Sequence, residues 1–398
     1  MSDLSRFFGL DVHKHYLIAT AVDDDLNKVY GPRRVELSQI DAWAQNTITQ
    51  DDALVLEMTA NAWHIHDELK PYAQSVIVVH SPHVALITRS RVKTDKIAAL
   101  NLARLLAKGL LEGIWVPPQE TRDLRTLVVQ RQKMVRFKTQ AKCRLRSTLH
   151  RYHILPPQKG LFCPDKLDWW LQLPVSDLER VRIQSDLDTL SFAEGQIAML
   201  ENCLAAWAAR DLQVPFLVQI SGVALITAAT VLAAIGDISR FPEPRYLVGY
   251  SGLGASIHAS GLTSTTGRIT KSGRRELRTA MVEAVHTAVI HDPRWRAEMQ
   301  RLAPRIGHKK AVLAIARKML VVVWHVLTKQ EPDRLADPQR VARKFLEFAY
   351  RIGKNNRAGT APEYVRAKLD QIGFGQAVAF IQSGRKRISL PPSASFQS

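Results

Sequence analysis

The apolar positions of this chain fall into two textures. Between residues 6 and about 110 they form short runs separated by amphipathic stretches, which predicts strands alternating with helices. Arg6–Leu10 and Tyr16–Val22 read as strands, and Arg34–Leu37 as a candidate third. Ala53–Glu57 reads as a short buried strand and Gln74–Val79 as another. Asn61 is placed to cap a helix from Ala62 to Leu69, which stops before Pro71. Thr94-Asp95 opens a helix running to Ala107, with Leu100, Ala103, Leu106 and Ala107 on one face.

From Pro117 onward the period becomes helical. Leu124, Leu127, Val128, Val135, Leu145 and Leu149 form one stripe up to about Arg151. A connection with Pro156-Pro157 and Trp169-Trp170 leads to a second long helix, about Val175 to Arg210. There Leu187, Leu190, Ile197, Leu200, Leu204 and Trp207 make a coiled-coil-like seam, suited to the first long helix or to another subunit. Residues 214 to about 330 read as a mostly helical domain, and Met319–Leu327 as a core helix. A helix over Gln339–Tyr350 and a basic tail close the chain, with a composition that suggests partial disorder or folding on a nucleic acid. The organisation is α/β plus α: residues 1–116, a 117–212 helical linker, a 213–330 domain and a 331–398 extension.

Composition points to the partner. The 398 residues carry 55 Lys+Arg against 37 Asp+Glu, net +18, with a pI near 10.0. Such a balance suits a polyanion, whose condensed counterions are released on binding. No apolar run approaches the ~20 residues that span a bilayer, and residues 1–6 show no leader pattern. Cys143, Cys163 and Cys203 are widely spaced and lack a CxxC motif, which reads as reduced thiols in the cytoplasm. Residues 121–151 concentrate the charge: Arg122, Arg125, Arg131, Lys133, Arg136, Lys138, Lys142, Arg144, Arg146 and Arg151 accompany a single acid, Asp123. A solvated face is the bland explanation of such a run, and a phosphate backbone explains its density better.

Three carboxylates carry candidate chemistry. Asp11 ends the first strand, Glu57 ends a later one, and Asp95 opens the helix after the last strand. In a ribonuclease-H-like sheet these places converge, and clustered carboxylates are stable when divalent cations lie between them. Three unrelated acids at strand ends and a helix start are the plain alternative. Ile220-Ser-Gly-Val223 resembles a helix-hairpin-helix turn able to aim N–H groups at phosphate; a simple helix cap fits it equally. Residues 249–275 are rich in Gly, Ser and Thr and close on Arg268, Lys271, Arg274 and Arg275. They read as a mobile loop with a hydroxyl nucleophile beside cations, or as a plain polar loop; several hydroxyls compete, and His258 is a base or a bystander. Lys309 and Lys310 read as backbone-phosphate contacts.

Together these stretches resemble DEDD-type insertion-sequence transposases (the IS one-ten/eleven-eleven group), described as bridge-RNA-guided recombinases. The resemblance covers about residues 6–330. It rests, in order, on Gly-Leu-Asp11-Val-His-Lys, Leu-Glu57-Met-Thr-Ala, Lys93-Thr-Asp95, Ile220-Ser-Gly-Val, Ser251-Gly-Leu, Ala259-Ser260-Gly261 and Lys271-Ser-Gly273. It implies a RuvC-like N-terminal domain holding Mg²⁺ through four acids, a coiled coil building dimers and tetramers, and a transposase domain whose nucleophilic serine matches Ser260. It further implies a phosphoserine link to DNA, a structured bridge RNA that pairs with donor and target DNA, and a bacterial, nucleoid-associated setting. One position departs from the pattern. The fourth acid is expected three residues after Asp95, on the same helix face, where Ala98 stands; no other acid lies between Asp95 and Glu112. A methyl group offers no oxygen to a hard cation, so the chain as written is expected to be catalytically impaired yet able to bind nucleic acid. An engineered Asp→Ala change and natural divergence are the two origins considered. The competing functions are a RuvC-type nuclease using water and a non-catalytic nucleic-acid-binding protein.

Overall fold

The computed structural model describes residues 6–88, 94–157, 159–260 and 263–393. Its contacts divide the chain into two compact units, Met1–Pro118 and Gln119–Ser398. The 117–212, 213–330 and 331–398 segments drawn from the sequence thus fall almost wholly within one unit.

The first unit is built from β1 (Arg6–Val12), β2 (Tyr16–Val22), β3 (Lys28–Glu36), α1 (Ile40–Thr47), β4 (Asp52–Glu57), α2 (Ala62–Leu69), β5 (Ser75–Val79), α3 (Ser81–Thr88) and α4 (Asp95–Ala107). The sheet order is β3-β2-β1-β4-β5. β1 to β3 form an antiparallel meander, while β4 and β5 run parallel to β1. This mixed sheet agrees with the ribonuclease-H-like expectation. Apart from Arg6, Asp11 and Thr20, β1 and β2 carry no charged or aliphatic-hydroxyl side chain, because they are central and covered on both faces. β3 begins six residues before the candidate Arg34 and is mostly exposed. As an edge strand it needs no continuous apolar run, so hydrophobicity marked only its last residues. Helix α3 was likewise not foreseen.

Gly9 determines how α4 lies on the sheet. A Cβ there would stand 2.0 Å from the Ala99 carbonyl and 2.5 Å from the Ala103 nitrogen. The absent side chain lets the helix backbone rest directly on β1, with Ala99, Leu102 and Ala103 buried beneath it.

The second unit comprises α5 (Gln119–Arg151), α6 (Leu167–Leu171), α7 (Asp177–Arg210), α8 (Val214–Val218), α9 (Leu225–Ile235), α10 (Pro244–Tyr250), a hairpin of β6 (Ala255–Ser260) and β7 (Thr263–Ile269), α11 (Arg275–His291), α12 (Pro293–Ile306), α13 (His308–Lys329), α14 (Pro338–Ile352), α15 (Ala361–Gln371) and a second hairpin of β8 (Phe380–Ser383) and β9 (Lys386–Ser389). Helices α5 and α7 lie antiparallel: Arg131 meets Glu201, Lys138 meets Glu194, Arg144 meets Asp186 and Arg151 meets Glu179. The seam residues Leu187, Leu190, Leu200 and Leu204 are buried. Of the two partners considered for that seam, the first long helix is the one present. Helix α13 is long and apolar enough to cross a membrane by composition. Here its Ile315, Ala316, Met319, Leu320 and Val323 are fully buried in the unit's core, as expected of a core helix.

Three expectations change. The segment after Gly254, read as a mobile or plain polar loop, is a β-hairpin. The Ile220–Val223 turn is packed rather than open: Gly222, at φ +85°, sits against the Ala284 carbonyl, and Lys344 donates to the Ile220 and Val223 carbonyls at 2.6 and 2.9 Å. The extension is not partly disordered through its described length, residues 331–393. Val341, Phe345 and Ile352 of α14 join the core, Thr360 and Glu363 form a capping box on α15, and buried Arg366 donates to the Val378 and Pro391 carbonyls.

Two measurements check these arguments. Gly9→Ala should cost about 1–3 kcal/mol or more through overpacking, read by denaturant unfolding of the full chain. Burial pushes the Lys344 amine down to about 7 from an ordinary value of 10.5. Between those values the unfolded chain binds more protons, so this group makes stability rise with pH from about 7 to 10. Urea unfolding at pH 7 and pH 9 should show a smaller rise in Lys344→Met than in the native chain.

Candidate metal centre and nucleic-acid surface

The candidate centre lies where β1, β4 and α4 end or begin. Leu10 pairs with Leu56 in the parallel register, which places Asp11 on β1 level with Glu57 on β4. Thr94 caps α4 by accepting from the Ile97 N–H, and Asp95 occupies the first turn, where its charge suits the helix dipole. Because α4 rests on β1, Asp95 comes to the side of Asp11. Between them stands an imidazole: His13 Nε2 is 3.4 Å from Asp11 Oδ2 and 3.2 Å from Asp95 Oδ2. The Tyr16 hydroxyl donates to Asp95 Oδ2 at 3.3 Å. Its ring stacks on His13 with centroids 4.6 Å apart, and the Arg34 guanidinium covers its face at 3.9 Å.

Burial pushes the Asp11 carboxyl above the usual carboxylate range, His13 opposes the shift, and the charges of Asp95 and Glu57 add to it. That mutual repulsion is what a bound cation relieves. Donor atoms of Asp11, His13 and Asp95 lie within 4.8 Å of one another. This donor set fits a divalent cation. Glu57 falls outside the group of three, though near enough for its charge to act on Asp11. The sequence reading of three converging carboxylates is therefore modified: two acids and a histidine form the close cluster, with Glu57 at its margin. Ala98 follows one turn after Asp95, its N–H bonded to the Thr94 carbonyl at 2.9 Å. Lys93 of the quoted motif lies outside the described residues.

Sequence reasoning passed over His13 and Tyr16. A usable signal existed: His13 follows Asp11 by two in extended chain, and that period returns both side chains to one side.

Ser260 ends β6, exposed and paired across the hairpin with Thr263; His258 pairs with Thr265. Gly261, of the quoted motif, and Leu262 are outside the described residues. The hairpin's base is held by arginines that the sequence did not single out. Arg278 donates to the Ser251 carbonyl at 2.8 Å and Arg317 to the Leu253 carbonyl at 2.8 Å. Glycines at 252 and 273 sit at φ +69° and +112°, each against backbone that a Cβ would strike. Arg274 donates to the Tyr250 hydroxyl at 3.0 Å. Burial would raise that phenol's pKa, but the Arg274 hydrogen bond and the charges of Arg274, Arg240 and Arg125 outweigh it and hold the group below its usual value. Arg268, Lys271 and Arg275 are exposed around the hairpin, and Lys309 and Lys310 are exposed on α13.

The basic run on α5 has two kinds of member. Arg131, Lys138, Lys142, Arg144 and Arg151 face acids of α7. Arg125 donates to the Ala233 and Ala234 carbonyls at the end of α9. These positions have partners within the chain, so their density needs no phosphate to explain it. Lys133 and Arg146 lie over the rings of Phe137 and Phe162.

A mixed sheet with acidic residues gathered at one edge, in a chain with a strongly basic helical unit, is an arrangement suited to metal-dependent processing of nucleic acid. Comparison with known proteins agrees. Residues 8–154 match a family model described as Transposase, the DEDD type of IS110, and residues 215–300 match the Transposase IS116/IS110/IS902 family. Both matches are to transposases of the IS110/IS116 group, the first of them to its DEDD domain. The chain is 26% identical over 89% of its length to "Putative transposase y4qE" of Sinorhizobium fredii, covering 90% of that protein. It is 24% identical over 84% of its length to the transposase for insertion sequence element IS1111A of Coxiella burnetii, covering 92% of it. It is also 26% identical over 82% of its length to the pilin gene-inverting protein of Moraxella bovis, covering 97% of it.

A carboxylate at position 98 should make the first unit more dependent on cations. Ala98→Asp should lower its stability without divalent ion and raise it with ion in excess. At a hundred times Kd the gain from binding is about 2.7 kcal/mol. Thermal melts with and without Mg²⁺ should show a larger shift in the variant than in the native chain.

Proposed function

We propose that this protein is a transposase that cuts and rejoins donor and target DNA of an insertion sequence. The reading is carried by the convergence of Asp11 and Asp95, with Glu57 beside them, at the edge of the N-terminal sheet. Asp11, Glu57 and Asp95 would hold a divalent cation, Mg²⁺ by family resemblance. When bound, it supplies positive charge to the phosphate and leaving oxygens. Ser260 is the nucleophile. Its hydroxyl gives up a proton, the oxygen bonds to phosphorus, and the bridging P–O bond breaks to leave a sugar hydroxyl. Attack by the sugar hydroxyl of the partner strand then breaks the phosphoserine bond and restores Ser260. Support comes from the exposure of Ser260 at the turn end of β6; Arg268, Lys271 and Arg275 lie toward the base of the hairpin, where their charges can meet flanking phosphates.

The same resemblance supplies the bridge RNA that pairs with both DNAs, and a bacterial cytoplasmic, nucleoid-associated setting. Dimers assembling to tetramers are supported by apolar residues left exposed on α7: Leu178, Phe192 and Met199 recur at multiples of seven. Arg122, Lys133, Arg136 and Arg146 of α5, together with Arg268, Lys271, Arg275, Lys309 and Lys310, contact phosphates; Arg274 orders the hairpin base through Tyr250. Ala98 favours a second reading for the chain as written: it binds nucleic acid while its chemistry is impaired.

The test is a covalent-adduct assay. Ala98→Asp protein with Mg²⁺, cognate RNA and labelled donor and target DNA should give label that migrates with denatured protein and disappears on Ser260→Ala. The native chain should give much less. Cleavage without an adduct would assign the reaction to a water-using RuvC-type nuclease. Binding with neither product would leave a non-catalytic nucleic-acid-binding protein.

A further inference from the structure

The donor missing at position 98 has a counterpart that the four-acid pattern does not include. His13 Nε2 lies between the two carboxylates, 3.4 Å from one and 3.2 Å from the other. The nitrogen is shielded from solvent, yet neither contact has the alignment of a hydrogen bond. The ring is held in place by its stack on Tyr16, whose own hydroxyl is tied to Asp95. Donors that share one ion at about 2.0–2.2 Å stand no more than about 4.4 Å apart. The separations of His13 Nε2 from both carboxylates are already within that reach.

We propose that His13 is a metal ligand, making this a mixed nitrogen–oxygen centre that prefers a first-row transition ion such as Mn²⁺ to Mg²⁺. The inference rests on the metal reading above. Mg²⁺ takes oxygen ligands and dehydrates reluctantly, whereas imidazole is a borderline donor suited to transition ions, and carboxylates accept either class. With a methyl at position 98 the site has one oxygen donor fewer than the family pattern and gains a nitrogen. The balance of donors therefore moves away from Mg²⁺. Tyr16 is a positioning residue: its stack sets the ring plane, and its hydrogen bond sets one carboxylate.

The experiment uses the full chain and Mn²⁺ as the probe. Binding is followed by electron paramagnetic resonance, and directly bonded imidazole by ¹⁴N modulation of the electron spin echo. The expected result is bound Mn²⁺ with ¹⁴N modulation that a large excess of Mg²⁺ does not displace. In His13→Asn the modulation should vanish and affinity should fall roughly tenfold or more. Asp11→Asn should weaken the same ion. Mn²⁺ that is lost on Asp11→Asn but shows no ¹⁴N modulation, or modulation that survives His13→Asn, overturns the assignment of His13 and leaves the metal reading standing. Mn²⁺ bound to neither the native chain nor Ala98→Asp overturns the metal reading itself.

Discussion

The carboxylate cluster depends on a space one methyl group wide. At position 9 a Cβ would collide with the backbone of α4, and without it the helix axis lies close against the central strand. Asp95, in the first turn of that helix, and Asp11, near the end of that strand, are thereby brought to one imidazole. A sheet edge and a helix N-terminus are each ordinary features. Their superposition needs the close approach, because any bulkier residue would lift the helix and carry Asp95 away from Asp11. Rigid elements hold a charged cluster better than loops do, since repulsion between like charges would otherwise open it.

The electrostatics of the two units answer different demands. In the first, like charges are gathered, and the raised Asp11 carboxyl records the repulsion and burial involved. His13 occupies the gap between Asp11 and Asp95. In the second unit, opposite charges are matched along the length of α5 and α7, so that much of the chain's most basic stretch is neutralised internally. Other exposed cations of this unit lie around the hairpin and at the start of α13. A net charge of +18 suits a polyanionic partner, while the fold shows which cations are already paired within the chain.

The second unit ties its mobile-looking parts to basic side chains that are buried or half-buried. Lys344 gathers the carbonyls of the Ile220–Val223 turn, Arg366 those of the C-terminal hairpin, and Arg278 and Arg317 those at the base of the Ser260 hairpin. In each case a long side chain satisfies backbone acceptors that no regular element reaches. Segments rich in Gly, Ser and Pro are consequently ordered by residues distant in sequence.

What the sequence determined by itself was local. Runs of apolar residues marked β1, β2, β4 and β5; helical spacing marked α4, α5, α7 and the apolar stretch of α13; and the order of Asp11, Glu57 and Asp95 pointed to one edge of one sheet. Edge strand β3 was marked only at its end, over Arg34–Leu37, because its solvent-facing residues carry little periodic signal, and the Ser260 hairpin escaped because Gly, Ser and Thr serve loops and exposed strands alike. Tertiary structure alone decided the rest: that His13, and not Glu57, completes the close cluster, and that the bases of α5 face acids of α7. It also decided that the C-terminal segment packs on the core. Each of these is a contact between residues far apart along the chain or on separate elements. No local pattern encodes it, because it depends on where the backbones come to rest.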